Sequence, residues 1–163
     1  MFEKSLVPRL VAMFVMAAAS STAACAHEKA LSDDEAVRAL FLKQVEAENA
    51  HDIVKLDSIL ADGTDDKSSP VSFVARAYQF WGKKEVMTHF EETFKGTWHL
   101  DPDMPRIRVI TLNTNTVQIY VPTKVTLGAP GKDAVTATYL INQFAVRTSQ
   151  GWRFTAILPI PAQ

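Results

Sequence analysis

From Ser32 onward the apolar positions fall first into a helical period and later into a period of two. Ser32-Asp33-Asp34-Glu35 has capping-box spacing: an N-cap Ser and a Glu three residues on satisfy the first free N–H groups of a helix. Val37, Leu40, Phe41, Gln44, Val45 and Glu48 follow at helical spacing, the apolar ones forming a stripe. The pattern predicts a helix over about 33–50. Asp52 is placed to cap a second helix over about 53–61, with Ile53, Leu56, Ile59 and Leu60 inward. Residues 62–70 are polar and read as a loop. Val71 to Trp81 is rich in β-branched and aromatic residues and reads as a strand or a buried extended piece. Gly82 opens a third helix to about Lys95, with Val86, Met87, Phe90 and Phe94 on one side, and Gly96 ends it.

From Met104 the pattern alternates. Strands are predicted over about 106–112, 116–127, 134–148 and 152–160. Asn113-Thr114-Asn115 and Gly128-Ala129-Pro130-Gly131 supply turns. Ser149-Gln150-Gly151 fits a three-residue hairpin loop with Gly in the left-handed position. That loop pairs Val146 with Phe154 and Arg147 with Arg153. One face then reads Leu140, Asn142, Phe144, Val146, Trp152, Phe154, Ala156 and Leu158, and is taken as the core face. The other reads Tyr139, Ile141, Gln143, Ala145, Arg147, Arg153, Thr155 and Ile157. Its mixed character suits partial covering by a partner. Helices followed by antiparallel strands predict an α+β domain.

The N-terminal segment reads differently. Lys4 and Arg9 precede an apolar run over residues 10–19, and Ala24-Cys25-Ala26 closes a stretch of small residues. This is the order of a secretory signal, which assigns residues 1–26 to export and 27–163 to one domain. Ser20-Ser21-Thr22 dilutes the run below the roughly 20 apolar residues a span needs, so no transmembrane anchor is expected in the mature form. Thr22-Ala23-Ala24-Cys25 also resembles a lipobox, in which Cys25 would carry a lipid anchor, although Thr22 stands where Leu is usual. The expected location is periplasmic or secreted, with anchoring through Cys25 as the alternative.

The element order over residues 32–160 resembles the NTF2-like superfamily, in particular its SnoaL-like and DUF4440-type bacterial members. The resemblance is carried by the first amphipathic helix, by Asn49-Ala50-His51-Asp52 and Ala61-Asp62, by Gly82-Lys83-Lys84-Glu85-Val86, and by the closing Gly151-Trp152-Arg153-Phe154. It implies a conical fold: a curved antiparallel sheet with the three helices on its concave face, around a pocket. It also implies a homodimer through the outer sheet face. Members include isomerases, dehydratases, cyclases, epoxide hydrolases and many non-enzymes, so the fold alone assigns no reaction.

Charge changes the picture more than composition does. The 163 residues carry 17 Lys+Arg, 18 Asp+Glu, four His and one Cys. A net charge of −1 gives no pull toward nucleic acid, and one Cys excludes a disulfide framework or a Cys-based zinc site. Residues 27–103 nevertheless hold 9 Lys+Arg against 16 Asp+Glu, and residues 104–163 hold 6 against 1, with no Glu and no His. Members resembling ketosteroid isomerase place carboxylic acids on pocket-lining strands, and here the strands have none to offer. A proton-transfer group must come from the helical half, where His51, His89, His99, Asp52, Asp101 and Asp103 are available.

Of these, His89 lies at the edge of the third helix's apolar stripe and Asp101 follows a loop-like His99; both are the weak catalytic candidates. No paired His spacing, Gly-x-Ser-x-Gly elbow or Gly-rich phosphate loop appears, so no metal or cofactor is named. Asn142 and Thr123 sit among apolar neighbours on strands and need hydrogen-bond partners, which a ligand can supply. Tyr78, Trp81 and Trp98 provide apolar walls. The favoured reading is a binding domain for a small, mainly apolar ligand. The alternatives are a SnoaL-like isomerase, dehydratase or hydrolase, and an envelope-associated dimeric interaction protein.

Overall fold

The computed structural model describes residues 31–63, 68–76 and 78–162. Residues 1–26, read above as an export signal, and with them Cys25, lie outside the described residues, as do positions 64–67 of the polar loop.

Helix α1 spans Asp33–Asn49 and starts as its capping box demands. The Ser32 hydroxyl accepts from the Glu35 N–H at 3.3 Å, and the Glu35 carboxylate accepts from the Ser32 N–H at 2.8 Å. Three acids in the first turn complement the helix dipole. The buried side is Val37, Leu40, Phe41, Gln44, Ala47 and Glu48, so the C-terminal part of the inward stripe includes two polar residues. The helix stops at His51, which takes φ +53° and stacks on Phe94 at 4.7 Å. Asp52 then caps α2, accepting from the Lys55 N–H at 2.9 Å. Helix α2 is Ile53–Asp57, shorter than its pattern predicts. Ile59 to Ala61 leave the helical path because they bond to the last strand: the Phe154 N–H donates to the Ile59 carbonyl and the Ala61 N–H to the Phe154 carbonyl.

The ambiguous segment 71–81 becomes a hairpin of β1 (Ser72–Ala75) and β2 (Tyr78–Trp81). Gly82 follows with φ +84° and ψ 150°, a conformation open only to glycine, and Glu85 accepts from the Trp81 N–H at 3.0 Å. Helix α3 covers Lys83–Thr93. Gly96 lies against the Gly128 carbonyl so closely that a Cβ would meet it at 2.2 Å. That approach seats β3 (Thr97–Pro102), a strand the alternation did not reveal, beside β5. After a single 3-10 turn come β4 (Arg108–Asn113), β5 (Thr116–Gly128), β6 (Val135–Thr148) and β7 (Gly151–Pro161).

The seven strands form one curved sheet in the order β2-β1-β7-β6-β5-β3, with β4 also on β5. The long β5 pairs with β6 along one edge and with β4 and then β3 along the other. The sheet is mixed rather than purely antiparallel: β1 runs parallel to β7, pairing Ser72 with Ala156 and Phe73 with Ile157. The reason is that the open edge of β7 is taken up by the chain returning from α2, which runs in the same direction as β7. Helices and sheet enclose a core around Phe41, Phe90, Phe154, Leu56, Ile59 and Ile119.

Two register expectations are corrected. Gly151 does take positive φ, +93°, but β6 and β7 pair Arg147 with Trp152, Val146 with Arg153 and Ala145 with Phe154. The two arginines therefore do not face each other. Arg147 lies 4.5 Å over the Trp152 ring and pairs with Asp33. A β-bulge then sets Thr155 and Ala156 of β7 against Phe144. The one-residue register change puts Ile141, Gln143 and Ala145 inward, and turns Asn142 and Phe144 outward.

Candidate functional site

A cavity of about 540 Å³ lies between α1, α3 and the concave sheet face. Its walls are largely apolar: Phe41, Phe73, Phe90, Leu100, Val125 and Ile157. Exposed Tyr78, Leu127 and Pro130 mark its rim. Against this lining stand four buried polar residues, Gln44, Glu48, Thr123 and Gln143.

Glu48 is the centre of the set. It is 2 % exposed, and both its carboxyl oxygens accept hydrogen bonds, from Gln44 Nε2 at 2.7 Å and from Trp98 Nε1 at 2.8 Å. Those donors favour the charged form, yet burial wins and pushes the group up from its ordinary 4.5 to about 7. The residues after it hold the strand that supplies Trp98. Asn49 acts as a substitute strand partner, with Nδ2 donating to the Leu100 carbonyl at 3.0 Å and Oδ1 accepting from the Leu100 N–H at 2.7 Å. His51 Nε2 lies 3.2 Å from the Trp98 carbonyl. Glu48, Asn49 and His51 thus clamp β3 at three points, which places the Trp98 indole on the carboxyl.

Among the described residues, two buried side-chain oxygens have no partner, Gln44 Oε1 and Gln143 Oε1. A carboxylate only accepts, so an ionised Glu48 requires Gln44 to turn its amide N–H toward it, which strands the Gln44 carbonyl oxygen. Unpaired buried polar atoms are costly, about 1–3 kcal/mol each. Thr123 donates weakly to the Val121 carbonyl at 3.4 Å.

The sequence-derived candidates divide around this site. Thr123, Trp98, Tyr78 and His89 line the cavity. Asn142 does not: it lies on the outer face, where its Oδ1 accepts from Gln118 Nε2 at 3.1 Å, because the register carries Gln143 inward instead. Trp81 is 60 % exposed and borders a separate shallow depression beside Val71 and Gly82. Asp101 is exposed on the outer face of β3, opposite Lys124, and His99 shares that face opposite Thr126. Asp103 is exposed too, and Asp52 serves as a cap. His89 is wedged between Phe80, stacked at 4.3 Å, and Phe73 at 4.9 Å. Burial holds its ring below the ordinary 6.5, which favours neutral imidazole. Among the described residues no group of three or more His, Cys, Asp or Glu comes together as a metal site.

Glu48, Gln44 and Gln143 were not among the candidates. The signal for the first two was nonetheless present, since Gln44 and Glu48 continue the Val37-Leu40-Phe41 stripe at helical spacing. Gln143 depends on the hairpin register, and no local signal marks it.

No family model and no curated protein sequence matches the chain. Solved structures do. One is a candidate dehydratase of the NTF2-like family from Streptomyces avermitilis, with TM-score 0.62 and 19% identity over 80% of this chain and 96% of that one. The chain has the NTF2-like fold. An NTF2-like protein from Cytophaga hutchinsonii aligns with TM-score 0.63 and 13% identity, over 81% of this chain and 100% of that one. A ketosteroid isomerase-like protein from Erwinia carotovora atroseptica gives 0.62 and 13%, over 78% and 95%. The NTF2-like fold explains why the strands curl around a cavity beneath the helices; at these identities it carries no reaction with it.

Proposed function

We propose that this NTF2-like domain binds a small, mainly apolar ligand in the cavity, with Glu48, Gln44 and Gln143 meeting the ligand's polar end. The observation that carries this reading is the pair of buried amide oxygens, unpartnered among the described residues, on a largely apolar cavity of about 540 Å³. That volume falls within the usual range of small-molecule sites. A screen of apolar compounds by thermal shift tests it. A ligand raises the melting temperature by mass action and changes Trp98 fluorescence, a signal missing from Trp98→Phe. If no compound moves the melting temperature, the binding reading falls.

A second reading, a SnoaL-like isomerase, dehydratase or hydrolase, is favoured by one observation. Glu48 titrates at about 7, where a carboxyl can both give and take a proton. In that case Glu48→Gln loses turnover of a substrate found in the screen while still binding it; retained turnover removes Glu48 from the chemistry.

The reading extends to export of residues 27–163 and to a homodimer through the outer sheet face, where Ile110, Leu112 and Ile160 are exposed. Mass spectrometry of the mature N-terminus separates cleavage after Ala26 from lipidation at Cys25. A monomeric mass by light scattering excludes the dimer.

A further inference from the structure

The polar groups of the cavity are not a balanced set of donors and acceptors. Glu48 carries two carboxyl oxygens, each with one donor already in place and lone-pair capacity left over. Gln44 Oε1 and Gln143 Oε1 have no donor among the described residues. Thr123 spends its proton on the Val121 carbonyl and keeps acceptor capacity. The carboxyl takes up the Trp98 N–H and one of the two Gln44 N–H groups, which leaves the second Gln44 N–H and the two of the Gln143 amide as the remaining donors of the set. Acceptors outnumber these donors, one of them being a carboxyl, in a cavity walled by Phe41, Phe90 and Trp98.

We infer that the ligand is an apolar amine bound as its ammonium ion, with its N–H groups directed to Glu48, Gln44 Oε1 and Gln143 Oε1. The inference rests on the cavity being a ligand site and names the chemistry of the polar end. An ammonium has only donors, so it answers each stranded oxygen without stranding any atom of its own. It also compensates the buried carboxylate, which has no cationic partner among the described residues. A carboxylate ligand would add a second anion to a group already penalised for its charge. An alcohol offers one proton to several acceptors. Aromatic walls are compatible with the cation, since ring faces attract positive charge.

The other titratable groups around the cavity are Arg76, Tyr78, His89, Glu92 and Tyr139, with His51 behind Trp98. Arg76 and Glu92 are exposed at the rim and opposite in sign. His89 is enclosed by rings. Glu48 is therefore the acid that an ammonium meets when it reaches the buried oxygens.

The test is isothermal titration calorimetry of the full chain with three probes that share one tail: phenylbutylamine, phenylbutanol and phenylbutanoate. At pH 8 the amine binds at least about tenfold more tightly than the alcohol, the difference expected when charge-assisted hydrogen bonds replace neutral ones, and the acid does not bind. Between pH 8 and pH 5 the amine's affinity falls, because a protonated Glu48 must first release its proton. That release appears as a heat that changes with the ionisation enthalpy of the buffer. Glu48→Gln removes both the amine preference and the pH dependence and retains the alcohol, which separates Glu48 from His89. Gln143→Leu weakens the amine several-fold with Glu48 untouched, which guards against a Glu48 variant that folds poorly. Equal or tighter binding of the alcohol, binding of the acid, or an amine affinity flat with pH overturns the ammonium assignment and leaves the cavity reading standing. If none of the probes binds and no other apolar compound raises the melting temperature, both fall.

Discussion

Asn142 and Gln143 are neighbouring amides on β6 in opposite circumstances. Asn142 lies on the convex face and accepts a hydrogen bond from Gln118 across the strand pair. Gln143 lies on the concave face, 1 % exposed, with its carbonyl oxygen unpartnered. The chemistry of the two side chains is nearly the same; the face decides what each is for. On the convex side an amide is close to water and to a second amide, and its hydrogen bonding closes on itself. On the concave side the neighbours are apolar, and the hydrogen-bonding capacity of the amide oxygen is unmet. The same contrast separates the acids: exposed Asp101 sits on the outer face, whereas buried Glu48 is driven toward neutrality.

The largest test of the two faces is packing. Phe154 is fully buried on the concave side and Phe144, its near neighbour across the bulge, is only half-buried on the convex side. Phe154→Ala is expected to cost about 3–5 kcal/mol, and Phe144→Ala about 1 kcal/mol, read from denaturant midpoints. Equal costs would mean that the convex face is covered as thoroughly as the core, as a tight dimer would cover it.

Glu48 gives the next effect. Its folded value of about 7 lies above its ordinary 4.5, so between these the folded chain holds a proton that the unfolded chain has released. Stability from this group is therefore greatest at low pH and is lost as pH rises through about 7, by roughly 3 kcal/mol in all. His89 works in the opposite sense. Its folded value is depressed by burial, so its contribution improves as pH rises toward 6.5. The measurement is the difference in urea midpoint between wild type and Glu48→Gln at pH 5 and pH 8. The variant gains relative to wild type at pH 8, and a constant difference would contradict the burial of the carboxyl.

Smaller still is the amide pair. Gln143→Leu removes an unpartnered polar atom from an apolar surround and is expected to be neutral or stabilising by about 1 kcal/mol. Asn142→Leu leaves Gln118 without its acceptor on a half-exposed face and is expected to cost below about 1 kcal/mol. Thermal denaturation of both variants reads the sign, and a clear loss on Gln143→Leu would indicate that the amide has a structural partner. The least effect belongs to Trp98→Phe at the pH midpoint. Losing the indole N–H removes one of the two donors that favour the charged carboxylate. The midpoint of the stability profile moves upward relative to wild type, and a downward move would contradict the hydrogen bond's role.

Much of this molecule was legible residue by residue. Ser32 and Glu35 form their capping box, Asp52 caps α2, Gly82 turns the chain into α3, and Gly151 takes positive φ at the hairpin. Each is a local preference of a few adjacent residues. Gln44 and Glu48 were legible in the same sense, because helical spacing carries them to the buried side, although a polar pair at the end of an apolar stripe reads more readily as the edge of that stripe. β3 was not legible: its Trp98 and Leu100 alternate over too few residues, and Asn49 of α1 holds its backbone from the far side of the sequence. Asn142 was misplaced because a hairpin register one residue off exchanges the two faces of a strand.

The sequence by itself determined most of the elements and their order, the α+β class, and the concentration of carboxylates and histidines in residues 27–103. These follow from periodicity, caps and residue counts, which are properties of short stretches of chain. Only the tertiary structure decided which face of β6 is inside, which acid is buried, and which oxygens are left without donors. Those depend on register and enclosure. Both are set by contacts between residues far apart in the chain, such as Glu48 with Trp98 and Gln143 opposite Ile157.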